Sequence, residues 1–441
     1  MEYIPSSLEE RRQMLSYVGV KDAGELFRDV PEGVRLKRPL NVPGGVSEIE
    51  LVKHLNNLAG KNRSLGSTIS FLGAGMYNHY VPSVVDAIIS RSEFYTSYTP
   101  YQAEASQGVL QALYEYQTMI CDLTSMDVSN AGMYDGSTAL AEACIMAKNI
   151  TGKKDIIVPE VLHPEYREVL KTYGRMCGFN ILEARCRSSL TSSDFKRRIN
   201  ENTAAVVVQN PNFFGIIEDY KKIKDQLFEG VLMIACVIEA TSLGLLRPPH
   251  EAAIVVGEGQ GFGNPIAFGG PHFGFLATRE EHVRRMPGRL VGATFDKDGK
   301  RGYVLTLQTR EQHIRREKAS SNICTSEALN AISAAVHLSL LGPKGLRKVA
   351  ENSHKNAIYL EKKLRDLRVL QSMFNEPYYN EFVMKSIPGL DRKLAGKGVV
   401  GGLDLGRFYG SRMKDASLFC ATEVHSREDI NTFTDIVKGC L

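Results

Sequence analysis

One stretch of the chain carries small hydroxyl residues directly before an alanine-rich segment that is typical of a helix. In DGSTALAEA, Gly136, Ser137 and Thr138 come just before the predicted helix. The free N–H groups and the dipole at a helix N-terminus attract anions, and the hydroxyl groups add hydrogen-bond donors. The pattern indicates an anion site, and a plain Ser/Thr N-cap is the alternative interpretation.

Two further candidates lie at the ends of predicted strands. VLHPEYREVL puts His163 at a strand-to-helix junction, where the ring can contact a ligand or act as a structural, helix-capping histidine. Glu239 ends the apolar run VLMIACVIEA. From the local sequence alone, its carboxylate can belong to a ligand site at the end of the strand or point into a loop.

The most unusual feature is a long stretch without lysine, from Asp225 to Asp296. It contains VLMIACVIEATSLGLLRPP and GEGQGFGNPIAFGGPHFGF, which read as strand, acidic residue, second strand, glycine-rich turn and third strand. This layout resembles the cofactor core of fold-type I pyridoxal-phosphate enzymes, in which a lysine amine at such a turn forms an imine with the cofactor. The turn offers Gln260 instead, so the stretch predicts a cofactor scaffold without a covalent anchor.

The candidates sit within a pattern of short apolar strands alternating with helices, from about Val128 to Thr278. Near-continuous apolar strands separated by helices predict an α/β fold with a mainly parallel sheet that is covered on both faces. The strand candidates are IIVPE, NILEAR, AAVVVQNP, VLMIACVIEA, AAIVVGEG and FGFLAT.

The flanking segments predict three parts. Residues 1–65 form a helical and extended N-terminal arm, in which Ser7 and Glu10 have capping-box spacing. Residues 66–325 form the large domain. Residues 326–441 form a smaller C-terminal α+β domain, including a long linking helix that Gly342 and Pro343 stop.

Composition excludes several classes of function. Net charge is +4, from 54 basic and 50 acidic residues, which is too balanced to indicate nucleic acid or membrane partners. The eight cysteines show no CxxC spacing, so we expect neither a metal site nor a disulfide framework. MEYIPSSLEERRQML has no apolar signal core, and a reducing cytoplasm is the expected location.

The order of these motifs resembles the cofactor core of fold-type I pyridoxal-phosphate (PLP) enzymes. The resemblance implies that Ser137 and Thr138 belong to a phosphate cup and that His163 stacks on the pyridine ring. It also implies that Glu239 takes the place of the family's aspartate, which pairs with the pyridinium nitrogen. With Gln260 opposite the lysine, these residues become a vestigial PLP pocket.

Longer motifs resemble one family within that fold. FLGAGMYNHYVP, YTPYQAEASQGVLQALYEYQTMICDLT, GGPHFGF and MPGRLVGATFDKDGKRGYVLTLQTREQHIRREKASSNICT together resemble the P-protein of the glycine cleavage system. The resemblance is to subunit 1 (alpha) of the form that is split into two polypeptides, and it covers essentially the whole chain.

The resemblance implies an enzyme activity that depends on a partner. With a PLP-bearing beta subunit, the chain would decarboxylate glycine and transfer the aminomethyl group to the lipoamide of H-protein. The beta subunit, and not this chain, would bind PLP covalently, and an α2β2 assembly is expected.

Fold-type I sites lie at a subunit interface, so the resemblance implies that this chain completes the partner's site. On the loop SYTPYQAE, Tyr98, Tyr101, Gln102 and Glu104 are the first candidates. For the tyrosines the alternative is interface packing with satisfied hydroxyls. Asn78 and His79 on the MYNHY loop are second candidates, for contact with the partner's PLP.

The basic run TREQHIRREK is the last candidate. Arg310, with His313 nearby, would bind the glycine carboxylate or an acidic surface of H-protein, since a guanidinium grips carboxylates through two hydrogen bonds. The alternative is a solvated, salt-bridged helix face. Lys318, on the same polar helix, is the rival for Schiff-base formation.

Two other functions remain open from sequence. A self-sufficient PLP-dependent decarboxylase or aminotransferase would use an unexpected lysine such as Lys318. A non-catalytic scaffold subunit would only dock H-protein or the beta subunit.

Overall fold

The N-terminal unit is small and helical. The computed structural model describes residues 6–185 and 195–441, and the chain divides into two compact units, Met1–Ser64 and Leu65–Leu441. The first unit contains α1 (Leu8–Val18), a 3₁₀ turn and α2 (Glu48–Ala59). The predicted capping box of α1 is confirmed, because Ser7 Oγ accepts from the Glu10 N–H and the Glu10 carboxylate accepts from the Ser7 N–H.

The second unit is built from alternating helices and strands. Its helices are α3 (Ser83–Ile89), α4 (Ser92–Tyr95), α5 (Gln107–Thr124), α6 (Gly136–Thr151), α7 (Pro164–Cys177), α8 (Tyr220–Lys224), α9 (Gln312–Arg315), α10 (Ala328–Asp366), α11 (Leu390–Gly396), α12 (Gly406–Tyr409) and α13 (Arg427–Lys438). Its strands are β1 (Val128–Ser129), β2 (Asp155–Pro159), β3 (Asn180–Ala184), β4 (Thr203–Gln209), β5 (Leu232–Val237), β6 (Ile254–Glu258), β7 (Gly274–Thr278), β8 (Leu290–Phe295), β9 (Arg301–Thr306), β10 (Gln371–Ser372), β11 (Glu381–Lys385), β12 (Leu403–Asp404) and β13 (Ala416–Cys420).

The central sheet confirms the predicted α/β class. Within the described ranges it has the order β1-β7-β6-β5-β4-β2-β3. Strands β3, β2, β4, β5 and β6 run parallel, and β7 and β1 add antiparallel pairs at one side. All six strand candidates form strands of this sheet. Because ligands of such sheets bind beyond the carboxyl ends of parallel strands, the loops after β5 and β6 are the expected site.

Two apolar layers cover the sheet. Along β4, Val206 and Val208 pack with residues of α5 and α10, whereas Val207 packs with residues of α6 and α7. Successive strand residues point to opposite faces, so an unbroken apolar run is what a doubly covered strand requires. The layers hold the strand ends, and thus the candidate residues, in fixed positions.

The C-terminal region carries an antiparallel sheet with the order β10-β11-β13-β12. The predicted final strand and helix are confirmed as β13 and α13. The predicted stop of the long helix is confirmed at Gly342, whose φ of 56° and ψ of −178° break α10 before Pro343. The domain boundary predicted after residue 325 stays a prediction.

Candidate functional site

The N-terminus of α6 is capped by its own chain. Asp135 is the N-cap, and its Oδ1 accepts the Thr138 N–H at 2.9 Å. The Ser137 hydroxyl donates to Asp135 Oδ2 at 2.6 Å, and the Thr138 hydroxyl donates to Oδ1. Both hydroxyls that the sequence assigned to an anion are therefore engaged by a carboxylate.

A second carboxylate occupies the same helix end. Glu258, the last residue of β6, accepts the Gly136 N–H at 2.9 Å through Oε2 and the Gln260 N–H at 3.1 Å through Oε1. A Cβ at position 136 would lie 2.3 Å from the Tyr166 hydroxyl oxygen and 2.9 Å from the Glu258 nitrogen, so only glycine fits. Glu258 is buried, and its negative charge takes the position expected for a phosphate.

Glu239 has a cationic partner from this chain. Its Oε1 lies 3.3 Å from His79 Nε2, and its Oε2 accepts from Asn380 Nδ2 at 2.8 Å. The other ring nitrogen of His79, Nδ1, lies 2.7 Å from Glu423 Oε2. His79 is thus a buried imidazole between two carboxylates, which is the pairing that a pyridinium nitrogen would make with Glu239.

Electrostatics favours a charged His79. Burial alone would lower its pKa, but the carboxylates of Glu239 and Glu423 raise it to about 10. For Glu423, burial opposes ionisation, yet the charge of His79 and its hydrogen bond hold the pKa below its usual value. His337, buried beside this cluster, has its pKa lowered to about 4 by burial and by the positive His79, so it stays neutral.

Both polar atoms of the Gln260 side-chain amide are hydrogen-bonded within the chain. Its Oε1 accepts the Tyr77 N–H at 3.3 Å, and its Nε2 donates to the carbonyl of Asn264 at 2.6 Å. The Tyr77 hydroxyl in turn donates to Glu381 at 2.8 Å. Burial raises the pKa of Glu381 to about 7, because hydrogen bonds from Ala74 and Tyr77 offset the loss of hydration only in part.

His163 serves as a helix cap. Its Nδ1 accepts the Glu165 N–H at 3.2 Å, and its Nε2 donates to the carbonyl of Ala74 at 2.8 Å. The ring packs edge-on against Phe213, with 4.8 Å between centroids. Burial lowers the pKa of His163, so the ring is neutral with one donor and one acceptor, as these two bonds require.

These residues do not fit PLP. A phosphate at α6 would meet the carboxylates of Asp135 and Glu258, and a pyridinium nitrogen would compete with His79 for Glu239. Gln260 supplies no amine for an imine. The sequence-predicted group is therefore brought together, but the chain's own side chains fill the positions that the cofactor would take.

The SYTPYQAE loop has the opposite character. It joins α4 to α5, and Tyr98, Tyr101, Gln102 and Glu104 are all exposed, with 76% of Tyr98 and 62% of Tyr101 accessible. The buried Arg289 guanidinium lies 5.0 Å from the centroid of the Tyr101 ring. The loop therefore carries aromatic and polar groups outward from a buried cation, and their catalytic role stays a prediction.

Comparison with known proteins identifies the family. The sequence model described as "Glycine cleavage system P-protein" matches residues 1–437. This chain belongs to the P-protein family. A "Probable glycine dehydrogenase (decarboxylating) subunit 1" of Desulforamulus reducens is 50% identical over 437 residues, which cover 98% of each chain. The protein of the same name from Carboxydothermus hydrogenoformans is 48% identical and is covered in full.

Solved structures agree with this family assignment and confirm the fold type. A crystal structure of glycine decarboxylase (P-protein) of the glycine cleavage system, in inhibitor-bound form, superposes with a TM-score of 0.91 at 42% identity, with full coverage of both chains. A sphingosine-1-phosphate lyase from Burkholderia pseudomallei gives a TM-score of 0.67 at 15% identity over 93% of this chain and 94% of that one. The predicted fold-type I architecture is confirmed.

The two candidate residues on the MYNHY loop of this P-protein chain differ in burial. Asn78 is half-buried and lines an open cavity of about 390 Å³. His79 is buried, and both of its ring nitrogens already have partners within the chain. This geometry favours an internal role for His79, and contact of either residue with a partner's PLP stays a prediction.

The basic run differs from the polar helix that its sequence predicts. Its residues form three separate short helical turns, namely the 3₁₀ turn Gln308–Arg310, the single turn of α9 (Gln312–Arg315) and the 3₁₀ turn Arg316–Lys318. Glu311 is extended and Arg316 has a φ of 53°, so neither junction can continue a helix. The buried Arg310 donates to the carbonyls of Leu307, Met286 and Gly288. Those bonds leave no bidentate face, so they favour a structural Arg310, and carboxylate binding stays a prediction.

The other two residues of this run lie at the surface. His313 is exposed, with Nδ1 3.6 Å from Glu311. Lys318 is exposed on the last turn. A lysine on a solvated turn lacks the enclosed site that an imine-forming amine occupies.

Sequence reasoning missed four residues that shape the site. One of them, Glu258, carries the same signal that identified Glu239, a carboxylate at the end of an apolar strand. Arg289, Glu381 and Glu423 have no local signal, because each acts through contacts with distant segments.

The described residues contain no cluster of three or more His, Cys, Asp or Glu that could hold a metal ion. They also contain no helix long and apolar enough to cross a membrane.

Proposed function

We propose that this chain is the alpha subunit of a two-polypeptide P-protein and that its activity requires a PLP-bearing beta subunit. Together the two subunits decarboxylate glycine and transfer the aminomethyl group to the lipoamide of H-protein. The observation that carries the proposal is the filled pocket, in which Glu258 accepts the Gly136 N–H at the start of α6 and His79 pairs with Glu239. Family membership and the "subunit 1" names of the relatives support it.

In this proposal the chain serves the partner's site from outside its own pocket. The exposed loop with Tyr98, Tyr101, Gln102 and Glu104 supplies groups to the interface, where phenol and amide side chains can orient a small polar substrate. Asn78 is a second contributor. Arg310 and His313 complete the set, with Arg310 holding the fold of the basic run and His313 exposed at its surface.

The proposed assembly is α2β2 in the cytoplasm, with lipoylated H-protein as the mobile partner. PLP supplies the electron sink for decarboxylation when it is bound by the beta subunit. This chain's residues bind, orient and shield the substrate at that site. Because they touch the reaction only in the complex, the isolated chain is inactive.

The first experiment tests where PLP is bound. The isolated chain is incubated with PLP, reduced with borohydride and digested, and the peptides are analysed for pyridoxyl-lysine. We expect no stoichiometric adduct on this chain and one adduct on the beta subunit of the complex. A stoichiometric adduct on Lys318, or on any lysine here, would establish the self-sufficient enzyme instead.

The second experiment tests the loop. Tyr98→Phe and Tyr101→Phe are reconstituted with the beta subunit, and glycine-dependent ¹⁴CO₂ exchange is measured with H-protein present. We expect lower turnover with unchanged assembly, since each change removes only a hydroxyl. Tyr17→Phe, at another exposed tyrosine, is the matched control. Unchanged turnover in both loop variants would favour a scaffold subunit.

A further inference from the structure

Three consecutive residues of the MYNHY loop are fixed by contacts with distant parts of the chain. The carbonyl of Asn78 accepts from Thr422 Oγ1 at 2.6 Å. The His79 ring lies between Glu239 and Glu423, at 3.3 and 2.7 Å. The Tyr80 N–H donates to Glu423 Oε1 at 2.8 Å. The backbone at this point is therefore held at every residue.

The side chain that emerges from this fixed backbone has no internal role. Tyr80 is 66% exposed. Within residues 6–185 and 195–441, its hydroxyl makes no hydrogen bond and its ring no aromatic contact. Its backbone is already fixed and a tyrosine side chain has only two torsion angles, so an exposed tyrosine here loses little conformational entropy on binding. Tyrosine is enriched among the residues that dominate interfaces.

The supporting cluster is more elaborate than a surface loop needs. His79 is charged because two carboxylates, those of the buried Glu239 and the half-buried Glu423, raise its pKa to about 10. Buried ion clusters contribute little net stability compared with apolar packing, but they define one geometry sharply. An isolated exposed tyrosine is ordinary on a protein surface. The backbone of Tyr80, in contrast, is held in place by a charge cluster, which indicates that the position of this tyrosine matters for binding.

We propose that Tyr80 is an anchor through which this chain binds its PLP-bearing partner subunit, and that His79 is the positioning residue that holds it. The inference rests on the function proposed above. The partner subunit is the expected occupant, since the chain's relatives are named as one subunit of an enzyme. In sequence, Tyr80 precedes three other exposed tyrosines, Tyr95, Tyr98 and Tyr101, and the last two lie on the loop proposed for that interface.

The first arm of the test measures assembly. Tyr80→Ala and Tyr80→Phe are titrated with the beta subunit, and the dissociation constant is obtained by sedimentation or light scattering. We expect Tyr80→Ala to bind at least about 10-fold more weakly, as interface anchors do, and Tyr80→Phe to stay within about 3-fold because the ring is kept. Met176→Ala, at an exposed apolar residue of α7, is the control and should bind as wild type.

The second arm tests whether His79 acts through Tyr80. His79→Gln is measured alone and combined with Tyr80→Ala. If His79 positions the ring, its loss weakens assembly in the wild-type background but adds little once the ring is gone. A merely structural role would add the same loss in both backgrounds. Should His79→Gln fail to fold, Thr422→Val releases the Asn78 carbonyl while keeping side-chain shape, and it enters the same cycle.

Two results would overturn the inference: wild-type affinity for Tyr80→Ala, or additive effects of Tyr80→Ala and the supporting substitution, which is His79→Gln or its replacement Thr422→Val. They are distinguishable from failure of the proposed function. If the wild-type chain neither binds the beta subunit nor restores its ¹⁴CO₂ exchange, the function itself is wrong. If the wild-type chain does both and Tyr80→Ala does so equally well, only the anchor is wrong.

Discussion

The filled pocket and the SYTPYQAE loop are opposite in their hydrogen bonding. Inside the pocket, Glu239, Glu258 and Gln260 have all found partners within the chain, and each is buried. On the loop, Tyr98 and Tyr101 are exposed, and the Arg289 guanidinium lies over the face of the Tyr101 ring. The carboxylates and the amide of the pocket are therefore used in internal hydrogen bonds, whereas the tyrosines of the loop remain exposed.

This difference teaches where function can remain when a site loses its cofactor. Removing the lysine alone would leave a phosphate cup and a carboxylate that still attract ligands. Here an internal carboxylate and an internal imidazole take those positions, so the pocket becomes part of the core. Only surfaces whose groups have no internal partner, such as the loop, can still serve a reaction.

The largest expected effect on stability comes from removing the cationic side chain of the pocket, His79. In His79→Leu, the carboxylates of Glu239 and Glu423 face each other in the interior without a positive charge. We expect a loss of about 3–5 kcal/mol in the free energy of unfolding, the usual result of removing one member of a buried charge cluster. Urea unfolding at pH 7 measures it. His54→Leu, at an exposed histidine, is the control, and a loss below about 1 kcal/mol in His79→Leu would contradict a structural charge cluster.

The next effect tests whether Glu258 replaces a phosphate. Glu258→Ala leaves the Gly136 and Gln260 N–H groups without an acceptor, at a cost of about 2–3 kcal/mol. Inorganic phosphate should then stabilise this variant more than the wild type, because one of the two carboxylates at the helix end is gone and the Gly136 N–H is left without its acceptor. Urea unfolding in phosphate and in chloride of equal ionic strength measures the difference.

Glu258→Gln is the matched control, since its amide oxygen still accepts one N–H. It should lose less stability and gain less from phosphate. Equal phosphate effects in Glu258→Ala and wild type would show that the carboxylate is incidental to anion recognition.

Much of the fold could be predicted from local sequence, because its signals are local. Each of the six strands follows from an apolar run, and the stop at Gly342 follows from glycine before proline. The basic run shows the limit. Its charges suggested one polar helix, but Arg316 adopts a positive φ that composition does not reveal, and the segment forms three turns.

The site was predicted only in part, for a similar reason. Glu239 was visible as a carboxylate at a strand end, but its partner His79 lies 160 residues away in sequence, and Glu423 lies 344 residues from His79. Such pairings depend on topology, not on spacing. The absence of lysine was visible from sequence, whereas the side chains that replace the cofactor were not.

A third prediction concerns pH. The pKa of Glu381 is raised from 4.5 to about 7 in the folded chain. The folded state therefore binds the proton more tightly, and this contribution to stability is present below pH 4.5 and is lost as pH rises through about 7. Between pH 5 and 8, the wild type should lose about 2 kcal/mol relative to Glu381→Gln, which cannot ionise. Glu201→Gln, at an exposed glutamate, should track the wild type, and parallel pH profiles for all three would contradict the raised pKa.

The smallest expected effect distinguishes the packing of the Tyr101 ring from the role of its hydroxyl. Tyr101→Leu removes the aromatic face beside Arg289 and should cost about 0.5–1 kcal/mol in urea unfolding of the isolated chain, the usual size of such a contact near the surface. Tyr101→Phe keeps the face and should leave stability unchanged. Under the proposed function, Tyr101→Phe nevertheless lowers turnover of the complex, because the hydroxyl serves the partner's site. We therefore expect Tyr101→Phe to lower turnover without changing stability. A substitution in the pocket should lower stability as well, because the pocket residues are part of the buried core.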